Sequence, residues 1–175
     1  MWRLNVPDGY GSDMAVSDPL FLDKTNPELW NSIGKFSAQV AKSYRAAGIS
    51  DRTAELINLR VSQINGCAYC LDLHTRKALA TGETMQRIVL LSTWDECGGH
   101  FDKFECAALA IAEATTDLPC PEERIAAVAS ARLLLPDEQV AAIQWIAVAM
   151  NAFNRISILS RHPVKEKELS QGASK

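Results

Sequence analysis

Apolar residues recur along this chain every three or four positions, and no stretch alternates apolar with polar residues as a half-buried strand would. The pattern predicts an all-α fold of about six to seven helices. The first starts at Asn26-Pro27-Glu28, which offers an N-cap, a proline at the first helical position and an acid in the first turn. Leu29, Ile33, Phe36, Val40 and Tyr44 follow on one face, and Gly48 stops the run. A second helix, over residues 52–64, is capped by Ser50 and carries Leu56, Ile57, Leu59, Val61 and Ile64. Asn65-Gly66 then reverses the chain into a third helix that ends at Gly82, so the two form a helical hairpin. Further helices are predicted over 83–91, 101–115 and 122–135, with 95–100 as a loop. The last, over 137–159, is apolar nearly all round from Val140 to Phe153, as in a helix buried centrally or shared with another subunit. A homo-oligomer is expected on that ground. Asn151, Asn154 and Arg155 interrupt the apolar surface and are expected to make structural hydrogen bonds at its edge.

At 175 residues the chain is long enough to bury one core of its own. Pro7, Gly9, Gly11 and Pro19 break up residues 1–25, read as an irregular arm; 26–162 is the helical domain and 163–175 a charged tail. A net charge of -3 gives no electrostatic case for nucleic acid or an anionic membrane as partner. The first residues lack the basic segment and apolar core of a secretory signal, and no apolar stretch is long enough to span a bilayer. A cytoplasmic protein is expected. Five cysteines is an odd number, without the spacing of a secreted disulfide framework, so reduced thiols are the default.

Two of those cysteines change the picture. Cys67 and Cys70 form a C-x-x-C step at the start of the third predicted helix, with His74 four residues on. In a helix these are positions i, i+3 and i+7, so all three side chains lie along one stripe. Unsatisfied N–H groups in a helix's first turn stabilise an anion, and can lower a thiol pKa from about 8.5 by one to several units. Either sulfur could be the nucleophile on this argument, and the helix terminus alone favours Cys67. Glu55 lies about 15 Å and His74 about 12 Å from the turn, at a rise of ~1.5 Å per residue, so the two can meet across the hairpin. A carboxylate there would orient the imidazole and complete a proton path from Glu55 through His74 to Cys70.

Glu55, then Cys67-Ala-Tyr-Cys70, then His74 resembles the active-site signature of the carboxymuconolactone decarboxylase superfamily, in particular its AhpD-like alkylhydroperoxidase branch. The likeness extends to Gly82, to the FECAALAIAEATT run from Phe104 and to NAFNRI from Asn151. It implies an AhpD-like helical bundle and an oligomeric thiol peroxidase. By that resemblance Cys70 attacks the peroxide, Cys67 resolves the sulfenic acid into a disulfide, and Glu55 and His74 relay protons. An organic hydroperoxide or hydrogen peroxide is then the substrate and an external dithiol the reductant, with no flavin, haem or metal as cofactor. Well-known members of the branch carry a second histidine between the cysteines, where this chain has Tyr69.

Two rival readings stand beside it. The decarboxylase activity that names the superfamily needs acid–base residues around a lactone carboxylate and no thiol pair. Alternatively Cys97-Gly-Gly-His100 is a second pair of metal-type residues, and Cys67, Cys70, Cys97 and His100 would make a tetrahedral zinc set in a helical interaction module. That set leaves Glu55 and His74 without a role. Cys97, Cys106 and Cys120 otherwise read as ordinary small side chains, and Cys106 as core.

Overall fold

A computed structural model describes residues 19–166. Among them are eight α-helices, one 3-10 helix and no strand. The expected all-α bundle is therefore the fold, with one helix more than the upper expectation. The α-helices are α1 (Leu22–Thr25), α2 (Pro27–Ala46), α3 (Asp51–Asn65), α4 (Ala68–Ala80), α5 (Met85–Leu90), α6 (Lys103–Asp117), α7 (Pro121–Arg132) and α8 (Asp137–Leu159). The 3-10 turn, Leu91–Glu96, follows α5 directly. The extra helix is α1, a single turn inside the segment read as an irregular arm; residues 1–18 of that arm and 167–175 of the tail lie outside the described residues.

The hairpin helix α3 is the centre of the packing, lying against α4, α6 and α8. Its sequence explains why. Ala54, Ile57 and Val61, at helical spacing, enter one apolar cluster with α6 and α8, while Leu56 and Leu59 on another face enter a second with Ile88, Leu91 and Phe101. A helix with two apolar faces is driven between two layers, because each face leaves water only when covered. Ser50 caps its start, accepting from the Thr53 N–H at 3.1 Å. Its end is fixed by Gly66, whose φ of 68° is the left-handed conformation that closes a helix C-terminus and favours glycine.

Helix α8 buries Val140, Ile143, Ala147, Met150 and Asn154 along one stripe, and Ile146 and Ala149 beside it. Trp145 and Val148 face outward, 51% and 42% exposed, so the apolar surface that runs round this helix is not all consumed inside the chain. The polar interruptions are more central than expected. Asn154 is fully buried and donates to the Ser62 hydroxyl at 3.1 Å, while Asn65 donates its amide to both Asn154 and Asn151 at 2.9 Å. These bonds pin the end of α3, two residues before Cys67, onto α8. An Asn154→Ala chain is expected to lose about 1–3 kcal/mol, because Ser62 and Asn65 are left with unpaired polar groups inside the protein. Urea unfolding reads this as a lower midpoint at an unchanged slope.

Two local expectations are corrected. Glu83, expected inside a helix over 83–91, precedes α5; its side chain is wholly buried and accepts from the Thr84 N–H and Arg87 Nε, each at 2.8 Å. Arg87 also donates to the buried Glu105 at 2.6 Å. A carboxylate taken from water needs a cation, which Arg87 supplies, and the helix starts after Thr84, whose side chain caps it by accepting from the Arg87 N–H at 3.3 Å. The loop expected over 95–100 is partly replaced by the 3-10 turn, in which Leu91 and Trp94 stand three residues apart on one side and both join the second cluster.

Candidate active site

The tight reversal at Gly66 delivers Cys67 as the N-cap of α4, just ahead of its first helical residue, Ala68. Its sulfur accepts a hydrogen bond from the Cys70 N–H at 3.3 Å, so a thiolate at Cys67 would face the open amide end of the helix. Cys67 and Cys70 are joined in a disulfide, their Cα atoms 5.3 Å apart. Both are almost fully buried, 1% and 2% exposed. They differ in surroundings: Cys70 lines a cavity of about 780 Å³, and Cys67 does not.

Glu55 and His74, from facing helices of the hairpin, meet as the spacing predicts. His74 Nδ1 lies 2.5 Å from Glu55 Oε2, and the two side chains are 10% and 14% exposed. With Nδ1 occupied by the carboxylate, Nε2 is the nitrogen left to exchange protons, which is how a neighbouring acid fixes an imidazole tautomer. Both residues line the same cavity as Cys70. All four residues named from the sequence thus lie on one hairpin, three of them on one cavity wall and the fourth bonded to it.

Tyr44, in the last turn of α2, lines the cavity as well and donates its hydroxyl to Asp51 at 2.8 Å. Burial, and then that hydrogen bond to Asp51, push its pKa up to about 12. The phenol therefore stays protonated at any pH the protein works at. Asp51 is held below the ordinary carboxylate range by hydrogen bonds from Arg45 and Tyr44. Asp72 is paired with Arg76 one turn along α4.

A further part of the wall has no counterpart in the sequence reading. His162, just beyond α8, places its ring 5.7 Å from that of Phe21 in a stack and 5.1 Å from that of Tyr69. Its Nε2 lies 3.1 Å from Asp23 Oδ1 on α1, and the Leu22 N–H donates to Ser160 at 3.0 Å. The two ends of the described chain are thereby clasped beside Tyr69. Tyr69, which stands where well-known members of the branch carry a histidine, is 36% exposed and part of this aromatic wall. The sequence signal for His162 was slight: it is one of only three histidines, and it stands beside a proline after the last helix.

The zinc arrangement is not assembled. The Cys97 thiol donates to the Thr93 carbonyl at 2.9 Å and packs against the second cluster, whereas Cys67 and Cys70 belong to the first, and among the described residues no three His, Cys, Asp or Glu side chains gather to hold a metal. No helix among the described residues is long and apolar enough to cross a membrane.

Comparison with known proteins places these features in a wider group. The model of the carboxymuconolactone decarboxylase family matches residues 27–114, which contain α2 to α5 and all four motif residues. The uncharacterised protein YdfG of Bacillus subtilis (strain 168) is 39% identical over 127 residues, 71% of this chain and 84% of that protein. A crystal structure from Agrobacterium tumefaciens, of a protein of unknown function proposed as the antioxidant defence protein AhpD, superposes with a TM-score of 0.74 at 30% identity. The match covers 85% of this chain and 99% of that one.

Proposed function

The chain belongs to the carboxymuconolactone decarboxylase family with an AhpD-like fold, and from that premise and the contents of its cavity we infer that it is a thiol peroxidase acting on alkyl hydroperoxides. The observation that carries this is the disulfide-forming pair whose second sulfur alone lines a cavity shared with a bonded glutamate–histidine dyad. In the reduced protein His74, held by Glu55, takes the proton of Cys70. The Cys70 thiolate attacks one peroxide oxygen, the O–O bond breaks, and the departing alkoxide takes the proton back from His74 to leave as alcohol. Cys70 is then a sulfenic acid. Cys67 attacks that sulfur and displaces hydroxide, which leaves as water with the Cys67 thiol proton, forming the Cys67–Cys70 disulfide.

Regeneration uses the same asymmetry. An external dithiol reaches the sulfur on the cavity side, Cys70, and expels Cys67, whose position at the amide end of α4 makes it a good leaving thiolate. The second thiol of the reductant then releases Cys70 as thiol. No step calls on a flavin, haem or metal. A reducing compartment such as the cytoplasm suits this cycle. Trp145 and Val148 on α8 support self-association, and sedimentation should find a homo-oligomer, whereas a monomer at micromolar concentration would leave that outward face unexplained.

The test of the activity is consumption of cumene hydroperoxide by metal-free protein supplied with dithiothreitol. Turnover proportional to protein is expected, and none with the reductant withheld after the first equivalent. Failure to consume any hydroperoxide, together with turnover of a muconolactone by a Cys67→Ser/Cys70→Ser chain, would return the decarboxylase reading.

A further inference from the structure

The charges around the cavity are not balanced. Three carboxylates line it, and each is engaged: Glu55 by His74, Asp72 by Arg76, and Asp23 by His162. Among the cations, Arg45 is held by Asp51 and Arg76 by Asp72. Lys24, Lys77 and Lys165 line the cavity with no carboxylate within ion-pair distance among the described residues. Lys24 lies over the Phe21 ring, 4.0 Å from its centroid. Among the described residues the unsatisfied charge at this site is therefore all positive, in a chain whose net charge is -3.

The position of Lys77 gives that charge a geometry. Cys70, His74 and Lys77 stand at i, i+4 and i+7 on α4, along one stripe, so the lysine lies about 10 Å from the nucleophile along the helix axis. Part of the cavity wall is apolar, with Trp30 from α2 and Ile146, Met150 and Phe153 from α8 among its residues. The volume of about 780 Å³ far exceeds the needs of hydrogen peroxide and falls in the range of sites for organic ligands. A chamber with an apolar side, a reactive sulfur at one point and an unpaired ammonium two helix turns away fits a molecule with an apolar body and an anionic end.

We propose that the cavity takes a carboxylate-bearing hydroperoxide, of the fatty-acid hydroperoxide class, with its carboxylate held by Lys77 and its acyl chain against the apolar wall. This rests on the peroxidase reading and names the substrate class of that same site. Lys24 and Lys165 add to the attracting field, and screening by salt weakens it.

Two measurements decide it. The first is kcat/KM for linoleic acid hydroperoxide and for its methyl ester, in wild type and Lys77→Gln, at low and high salt. The acid is expected to lead the ester by about fivefold at low salt, the upper range for one exposed ion pair. The lead falls toward one in Lys77→Gln or at high salt. The second is binding of linoleic acid and methyl linoleate to the disulfide form, read by tryptophan fluorescence through Trp30, with the same order expected. A ratio of one in wild type, a preference for the ester, or a lead that Lys77→Gln leaves in place overturns the proposal. If no hydroperoxide is consumed at all, the peroxidase reading fails, and the binding measurement still decides whether the cavity recognises a carboxylate.

Discussion

A Cys70→Ser chain is expected to lose hydroperoxide reduction by about three orders of magnitude or more, whereas Cys67→Ser keeps a single rapid turnover and then stalls. The two residues are neighbours on one turn and joined to each other, so a simple loss of structure would make the variants alike. They should differ because Cys70 borders the cavity and Cys67 is enclosed behind it. Without Cys70 no thiol lines the cavity. Without Cys67 the first step still occurs and yields a sulfenic acid that nothing resolves, so one equivalent of alcohol appears per chain in a burst. Stopped-flow kinetics on the reduced variants reads the difference. A burst in Cys70→Ser would put the attacking role on Cys67, where the helix terminus alone would place it.

The second large effect is expected at the dyad. His74→Asn removes the group that accepts the thiol proton and should lower kcat/KM by about 10² to 10³, within the range for a general base. Glu55→Gln keeps a hydrogen-bonding side chain but removes the charge, and a smaller loss of about tenfold is expected. Both deficits shrink as pH rises, because hydroxide then removes the thiol proton without the imidazole's help. Equal rates across the pH range in wild type and His74→Asn would leave the dyad with a structural role only. The thiol count of each variant after reduction controls for damage to the cysteines.

Much of this site was legible because it is local. Cys67, Cys70 and His74 share one helix, and Glu55 is placed opposite them by the length of two helices and one glycine turn, all quantities that spacing gives. The wall made by Phe21, Asp23 and His162 could not be read that way, since it joins residues separated by 139 positions through a contact that no period records. The end of α8 was partly legible. Asn151 and Asn154 stood out as polar residues in an apolar run, but their partners, Asn65 and Ser62, sit on another helix. Glu83 and Glu105 show a different limit. Both pair with Arg87 inside the protein, and a single sequence shows charged residues there without showing that they are buried.

The most direct measurement is the number of free thiols in the reduced, denatured protein before and after one equivalent of hydroperoxide. The wild-type chain should fall from five thiols to three, leaving Cys97, Cys106 and Cys120. Cys70→Ser should lose almost none. Equal losses in the two proteins, or no loss in either, would contradict a cycle that begins with the attack of Cys70 on the peroxide.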